Sequence, residues 1–273
     1  MCNSCGCALN GAAPGVHGHD HHHDHERVTV ITEVAAPAPE SVEVLQRLLA
    51  ANDEAAAHNR EHLDRHGVLA VNLMSSPGAG KTALLEATID ALGGRVRIGV
   101  IEGDLETEND AARIRAHGVP AVQITTGSAC HLDAHLVHRA LHQVPLDEIE
   151  LLFIENVGNL VCPAGFDLGQ HHNVTLLSVT EGDDKPSKYP VMFRAADLVL
   201  LSKCDLLDLL DDFDPQRAAA ALQALGRSTP LIQTAARRAA SIQPWLQWLE
   251  TALARHRILA ARRNGVPHAA LEL

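Results

Sequence analysis

Ser75-Ser76-Pro77-Gly78-Ala79-Gly80-Lys81-Thr82 joins two unlike runs of sequence. Before it, Val68-Leu69-Ala70-Val71-Asn72-Leu73-Met74 is almost wholly apolar and reads as a buried strand. After it, Ala83 to Leu92 combines helix-forming residues with an apolar stripe. A strand, a Gly-rich turn ending in Gly-Lys-Thr, and a helix are the setting a phosphate-binding loop requires. Gly78 and Gly80 let the backbone curl, so that the N–H groups of Pro77-Gly78-Ala79-Gly80-Lys81-Thr82 that exist can face phosphate oxygens. The helix N-terminus adds partial positive charge. In that role Lys81 reaches the β- and γ-phosphates, and the Thr82 hydroxyl ligates Mg²⁺. Ser75 stands where the first glycine of G-x-x-x-x-G-K-T usually falls. The stretch makes this a nucleotide-binding protein.

Downstream, strand and helix patterns alternate. Strands are expected at 96–101, 121–124, 150–154, 174–179, 197–201 and 231–232, with helices at 107–117 and 131–143 and a last one from Ser241. That rhythm predicts an α/β fold with a doubly wound, mainly parallel sheet, whose ligands sit beyond the strand C-termini. The chemistry-bearing residues fall at such ends. Asp104 closes the strand after the phosphate loop and is placed to hold Mg²⁺ or its water shell, with Asp110 as a second carboxylate. Glu155 ends a later strand where a carboxylate can orient metal-bound water, and Gly158 lets a backbone N–H approach the γ-phosphate. Ser202-Lys203-Cys204-Asp205 follows another strand and is similar to the N/T-K-x-D guanine-reading motif. An Asp205 carboxylate accepts from both guanine N1–H and N2–H₂, the Lys203 stem lies along the base, and Ser202 replaces the usual Asn or Thr. Thr234-Ala235-Ala236 is the companion loop. This favours GTP over ATP.

Two metal signals stand apart. Met1-Cys2-Asn3-Ser4-Cys5-Gly6-Cys7 packs three thiols into seven positions, and Cys2 and Cys5 have the spacing that brings two sulfurs to one ion. His17, His19, His21, His22, His23 and His25 follow, interleaved with Gly18, Asp20 and Asp24. Such a tract packs no core, and borderline imidazole ligands suit Ni, Zn and Cu. The second signal is Cys130-His131 with Cys162, two thiolates and an imidazole beyond strand ends. These cysteines read equally well as ligands or as small buried hydrophobes.

Composition sets the frame. The chain has 273 residues, 46% hydrophobic and 21% charged, with 18 histidines and only seven aromatic residues (four Phe, two Trp, one Tyr). A net charge of −12 without a basic patch excludes nucleic acid as the expected partner. No run approaches a membrane span and no signal-peptide core is visible, so the expected location is cytoplasmic. The expected organisation is a Cys/His-rich metal-binding tail at 1–26, disordered for want of core-forming residues, a Pro-containing linker at 27–40, and a nucleotide-binding domain at 41–273. That domain opens with an amphipathic helix capped by Ser41 and ending near His66-Gly67. On it, His58, His62 and His66 fall at i, i+4 and i+8 and read as a solvated face.

Taken together, the phosphate loop, Glu102-Gly103-Asp104, Gly127 to Ala134 with Cys130-His131, Glu155-Asn156-Val157-Gly158-Asn159-Leu160-Val161-Cys162-Pro163, and Ser178 to Gly182 with Asp184-Lys185-Pro186 resemble one family. It is the hydrogenase nickel-incorporation GTPases, HypB, of the SIMIBI class of P-loop proteins. The resemblance runs from about Ser41 to Trp248, and Cys-x-x-Cys-Gly-Cys at the N-terminus is a known option of the family. It implies slow GTP hydrolysis, GTP-dependent homodimerisation, and nickel delivery to the large subunit of [NiFe]-hydrogenase with a small zinc-containing accessory partner. It also implies that Cys130, His131 and Cys162 bind Ni²⁺ or Zn²⁺ at the dimer interface and that Lys185 lies near the nucleotide. Three rivals remain: a urease-type accessory GTPase, a nickel buffer with a vestigial GTPase, and a small-molecule kinase. The first lacks this Cys-His and Cys pair of segments, and no acceptor pocket is legible for the last.

Overall fold

Seven apolar runs become seven parallel strands. A computed structural model describes residues 39–105, 108–127 and 129–263. The proposed tail at 1–26, with Cys2, Cys5, Cys7 and its histidines, lies outside the described residues, as does most of the linker. The order of elements begins α1 (Pro39–His66), β1 (Leu69–Ser75), α2 (Lys81–Leu92), β2 (Ile98–Asp104) and α3 (Asn109–Ala116). It continues with β3 (Ala121–Thr125), α4 (Ala134–Leu141), β4 (Leu151–Glu155), β5 (His172–Ser178), α5 (Lys185–Lys188) and α6 (Pro190–Ala195). Last come β6 (Leu198–Ser202), α7 (Pro215–Gln223), β7 (Leu231–Gln233) and α8 (Gln243–Arg263). The strand order is β3-β2-β4-β1-β5-β6-β7, and every pairing is parallel. The expected sheet was mainly parallel; among the described residues it is wholly so.

Alternation along a strand sends successive side chains to opposite faces, and β1 shows both. Leu69, Val71 and Leu73 pack with Leu85 of α2 and Trp245 and Leu249 of α8. Val68 and Ala70 pack with Leu63 of α1 and with Val137 and Leu141 of α4. A third cluster joins Leu177, Val199 and Leu201 to Met192 and Phe193 of α6 and Leu222 of α7. Helices thus cover both faces, which is why the strands read as continuous apolar runs.

Two helix starts differ from expectation. α1 begins at Pro39, so Ser41 lies inside the helix and does not cap it, and the last two linker positions are helical. Proline suits the first helical turn, because its fixed φ is already helical and its missing N–H would have had no partner there. α4 begins at Ala134, not His131, because the Asp133 carboxylate accepts the Leu136 N–H at 2.8 Å and sets the cap. Cys130 and His131 consequently sit on a loop.

α1 also supplies polar clamps. Asn52 donates to the Asp167 carbonyl and accepts the Ala134 N–H. Asn59 donates to the carbonyls of Ala134 (2.8 Å) and Leu168 (3.1 Å). Gly169, at φ 90°, runs against this helix, where a Cβ would stand 2.6 Å from Asn59 Cβ and 2.7 Å from the Ala56 carbonyl. α1 therefore fixes the segments that precede α4 and follow Cys162.

Candidate functional site

The phosphate loop is shaped by two left-handed glycines, Gly78 (φ 73°) and Gly80 (φ 101°), a region closed to most side chains. Lys81 and Thr82 open α2 and are both buried. Thr82 Oγ1 donates to Glu155 Oε1 at 2.9 Å. Lys81 Nζ lies 3.3 Å from Ser75 Oγ and 3.9 Å from Glu155 Oε1. Ser75, in the usual glycine position, donates its own proton to the Ser76 carbonyl at 2.6 Å. Ser76 in turn donates to Glu181 at 2.5 Å, a half-buried carboxyl raised by burial.

Behind the loop, Glu102, Asp110 and Glu155 bring one carboxylate oxygen each within 4.8 Å of one another. Register explains it: Glu102 of β2 and Glu155 of β4 are direct partners across adjacent strands. Glu102 Oε2 and Glu155 Oε2 are buried without a hydrogen-bond partner. Burial, then the charge of Glu155, pushes Glu102 far above the ordinary carboxylate range. Burial also raises Glu155, against the pull of Lys81 and the Thr82 hydrogen bond. Unsatisfied buried carboxylate oxygens beside a lysine and a threonine hydroxyl are hard ligands, and they fit Mg²⁺. Asp104 stands at the end of β2 with its Oδ1 accepting the Leu105 N–H at 2.7 Å; of the clustered carboxylates, Glu155 is the one that meets Thr82.

At the other end of the loop a cavity of about 330 Å³ is lined by Gly80, Ala83, Lys203, Asp205, Thr234 and Arg237, among others. Ser202 closes its floor: its hydroxyl donates to the Ala79 carbonyl at 2.7 Å, tying the β6 end to the phosphate loop. Lys203 has φ 59°, the single non-glycine with positive φ among the described residues. Such a conformation costs on the order of 1 kcal/mol and persists where the surroundings impose it. Here the Cys204 N–H donates to Thr234 O at 3.0 Å and Thr234 N–H to Leu201 O at 2.7 Å, locking the turn against the Thr234-Ala235-Ala236 loop.

Cys130, His131 and Cys162 converge, with a ligand atom from each within 4.8 Å of the others. The two sulfurs are 3.0 Å apart, Cys130 donating, and Cys130 Sγ is 3.7 Å from His131 Nδ1. Cys130 is exposed, and Cys162 and His131 are partly so. The exposure of Cys130 removes the reading as buried hydrophobes. The Cys130 hydrogen bond raises Cys162, and burial lowers His131, whose ring stacks on Phe166 at 4.0 Å. A neutral imidazole with two sulfurs is a donor set for a borderline divalent ion.

Two asparagines bind this set to the phosphate loop. Asn159 donates to the Cys130 carbonyl and accepts the Val161 N–H, bridging both ligand segments. Asn156, on the β4 end, accepts the Leu132 N–H at 3.1 Å and the Val157 N–H at 3.0 Å. Between them Gly158 lies against Pro77, where a Cβ would stand 2.8 Å from Pro77 Cα. A groove of about 410 Å³ runs along this seam, past Ser76, Pro77, Gly158, Cys130, Val161 and Lys185. Lys185 Nζ sits 5.3 Å above the Tyr189 ring.

Sequence reasoning gave no role to Glu102, Glu181, Asn156 or Asn159. Glu102 carries the clearest signal in hindsight, a charged residue directly after the apolar run Ile98–Ile101 of the same strand.

A phosphate loop at the centre of a parallel sheet, with the chemistry-bearing strand ends around it, defines a P-loop nucleotide-binding protein. The family model described as CobW/HypB/UreG, nucleotide-binding domain, matches residues 69–232. The hydrogenase maturation factor HypB of Azotobacter vinelandii is 54% identical over 211 residues, covering 77% of this chain and 69% of that one. Its Escherichia coli K12 counterpart is 50% identical over 210 residues, covering 77% and 72%. The crystal structure of HypB from Helicobacter pylori in complex with nickel matches with a TM-score of 0.73 at 39% identity, over 76% of this chain and 97% of that one. The chain belongs to the HypB family of hydrogenase maturation factors. Among the described residues no helix is long and apolar enough to cross a membrane.

Proposed function

We propose that this protein is a GTP-hydrolysing nickel metallochaperone that delivers Ni²⁺ to the large subunit of [NiFe]-hydrogenase, working with a small zinc-containing accessory protein. The observation that carries the reading is the seam: a two-thiol, one-imidazole ligand set shares the Asn156–Asn159 segment with the glycine that touches the phosphate loop. In this reading the guanine base enters the Lys203–Asp205 cavity, and Gly78 to Thr82 cradle the phosphates. Thr82, Asp104 and Glu155 would hold Mg²⁺, with Glu102 and Asp110 nearby, and the bound ion would supply positive charge for the β/γ-phosphate oxygens. Lys81 adds a second cation at those oxygens, and Lys185 reaches the same groove from its far wall. Glu155 orients the attacking water. Cys130, His131 and Cys162 hold the nickel cargo, or Zn²⁺ in its place.

Exposed Val161 and Leu105 beside the ligand set supply an apolar rim that a second copy would cover. GTP-dependent dimerisation then gates transfer, while the tail at 1–26 stores nickel. The protein acts in the cytoplasm. GTP turnover of the full chain, measured with and without Ni²⁺, tests the reading. Slow turnover that responds to nickel, and stops responding in Cys130→Ser/Cys162→Ser, is the expected result. Nickel binding without turnover would favour the buffer reading.

A further inference from the structure

α1 and α4 pack side by side, and five histidines meet along their seam. His58, His62 and His66 come from α1; His138 comes from α4 and His142 is its C-terminal cap. His58 lies 5.0 Å from His138, His62 lies 5.1 Å from His66 and 5.6 Å from His142, and His138 lies 4.7 Å from His142, all between ring centroids. The α1 face is therefore more than a solvated stripe, although His58 and His66 are exposed.

The hydrogen bonds fix which nitrogens are available. Both N–H bonds of the Asn59 amide are spent on the Ala134 and Leu168 carbonyls. Its oxygen must therefore be the acceptor for His138 Nδ1 at 2.9 Å, so that nitrogen carries the proton. Neutral His138 is left with a bare Nε2, and that atom points at His142 Nε2, 3.2 Å away. Two imidazole nitrogens on one ion, each about 2.0–2.1 Å from it, stand roughly 2.9–3.4 Å apart. An outer nitrogen held by an amide oxygen is also the usual support of a metal-bound histidine. His62 stands beside the pair, 5.6 Å from His142 between ring centroids, with its Nδ1 buried and without a partner.

The electrostatics agree. Burial lowers His62 and His138, favouring the neutral, ligating form. α1 ends at His66, and His142 is the C-terminal cap of α4, so two helix C-termini place partial negative charge here. Arg65 opposes them next to His62. A second group, Asp64, His171 and His256, fails the same examination. His171 Nδ1 accepts the Ala70 N–H, which forces its other N–H onto Asp64 and leaves no lone pair for an ion.

We propose that His138 and His142 form a two-imidazole binding site for a borderline divalent cation such as Ni²⁺, distinct from Cys130-His131-Cys162 and independent of the function proposed above. The class follows from an all-imidazole donor set.

The test uses the full chain and Ni²⁺ alone. Diethylpyrocarbonate acylates unligated imidazoles, and peptide mass spectrometry reads each histidine separately, so the tail does not mask the seam. Nickel is expected to slow acylation of His138 and His142 several-fold, and the full-chain variant His142→Gln is expected to bind one nickel ion fewer with unchanged guanine-nucleotide affinity. Equal acylation rates with and without nickel would overturn the site. So would protection combined with unchanged stoichiometry in a folded variant. If the variant fails to fold, the footprint on the unaltered chain decides.

Discussion

Gly158→Ala is the sharpest perturbation the geometry offers. The added Cβ would stand 2.8 Å from Pro77 Cα, 3.0 Å from Pro77 N and 3.3 Å from Pro77 Cβ. Unbonded carbons rest about 3.5–4.0 Å apart, so relief needs a displacement of roughly 0.7–1.2 Å. The obstacle is backbone, and it belongs to the phosphate loop, so no rotamer change can absorb it. Gly158 has no positive φ; the cost is purely steric. A misplacement of about 1 Å in a positioning element costs on the order of 100-fold in rate, or about 2.7 kcal/mol of barrier. GTP turnover should therefore fall by roughly one to two orders of magnitude. Gly165→Ala is the matched control, since a Cβ there meets nothing within 4 Å, and it should leave turnover and nucleotide affinity unchanged. Steady-state turnover, with fluorescent-nucleotide titration and circular dichroism to verify folding, would measure both. A folded Gly158→Ala protein with turnover equal to the control would refute the claim that this contact positions the loop.

Two further outcomes are expected. Asp205→Asn replaces one acceptor oxygen by a donor at the wall of the base cavity, so preference should move from GTP to xanthosine triphosphate; competition binding that still favours GTP would remove Asp205 from base reading. Glu102, raised from 4.5 to about 10 in the fold, binds a proton that the unfolded chain has released. Its stabilising contribution is complete below about pH 4.5 and is lost as pH rises towards 10, by at most about 1.4 kcal/mol per pH unit. Urea midpoints without Mg²⁺ should thus fall less between pH 5 and pH 8 for Glu102→Gln than for the parent chain; parallel slopes would contradict the buried, protonated carboxyl.

The fold was legible because its signals are local. The inner strands are mostly apolar runs buried on both faces, and the phosphate loop announces itself by Gly78, Gly80, Lys81 and Thr82 within a few residues. The first turns of α1 and α4 were misplaced because Pro39 and Asp133 compete there with plausible alternatives, Ser41 and His131. What stayed hidden depends on strand order. Glu102 meets Glu155 only because β4 inserts between β2 and β1, and nothing near residue 102 reports that. The histidine seam is hidden for the same reason. The i, i+4, i+8 spacing on α1 was visible, but its partners on α4 lie more than 70 residues away, and a lone histidine stripe looks solvated.

In the proposed function, the same strand order places cargo and nucleotide on one mechanical element. β4 lies beside β1, so the chain leaving Glu155 crosses directly over the chain leaving Ser75. Within eight residues, from Glu155 to Cys162, it contacts Thr82, the Leu132 N–H, Pro77 and the Cys130 carbonyl before reaching Cys162. A shift that admits a γ-phosphate beside Pro77 must move Gly158, and Asn156 and Asn159 on either side of it hold the loop that carries Cys130 and His131. Coupling of this kind is reciprocal: if the triphosphate changes nickel affinity, nickel changes triphosphate affinity by the same factor, typically corresponding to about 1–3 kcal/mol. The α1–α4 histidines lie off that segment: His138 and His66 hydrogen-bond to Asn59 and Asp147, neither of which belongs to the Glu155–Cys162 stretch. Nickel at that seam should be indifferent to nucleotide, and nickel at the cysteines should not; this separates a reservoir from a gated site within one domain.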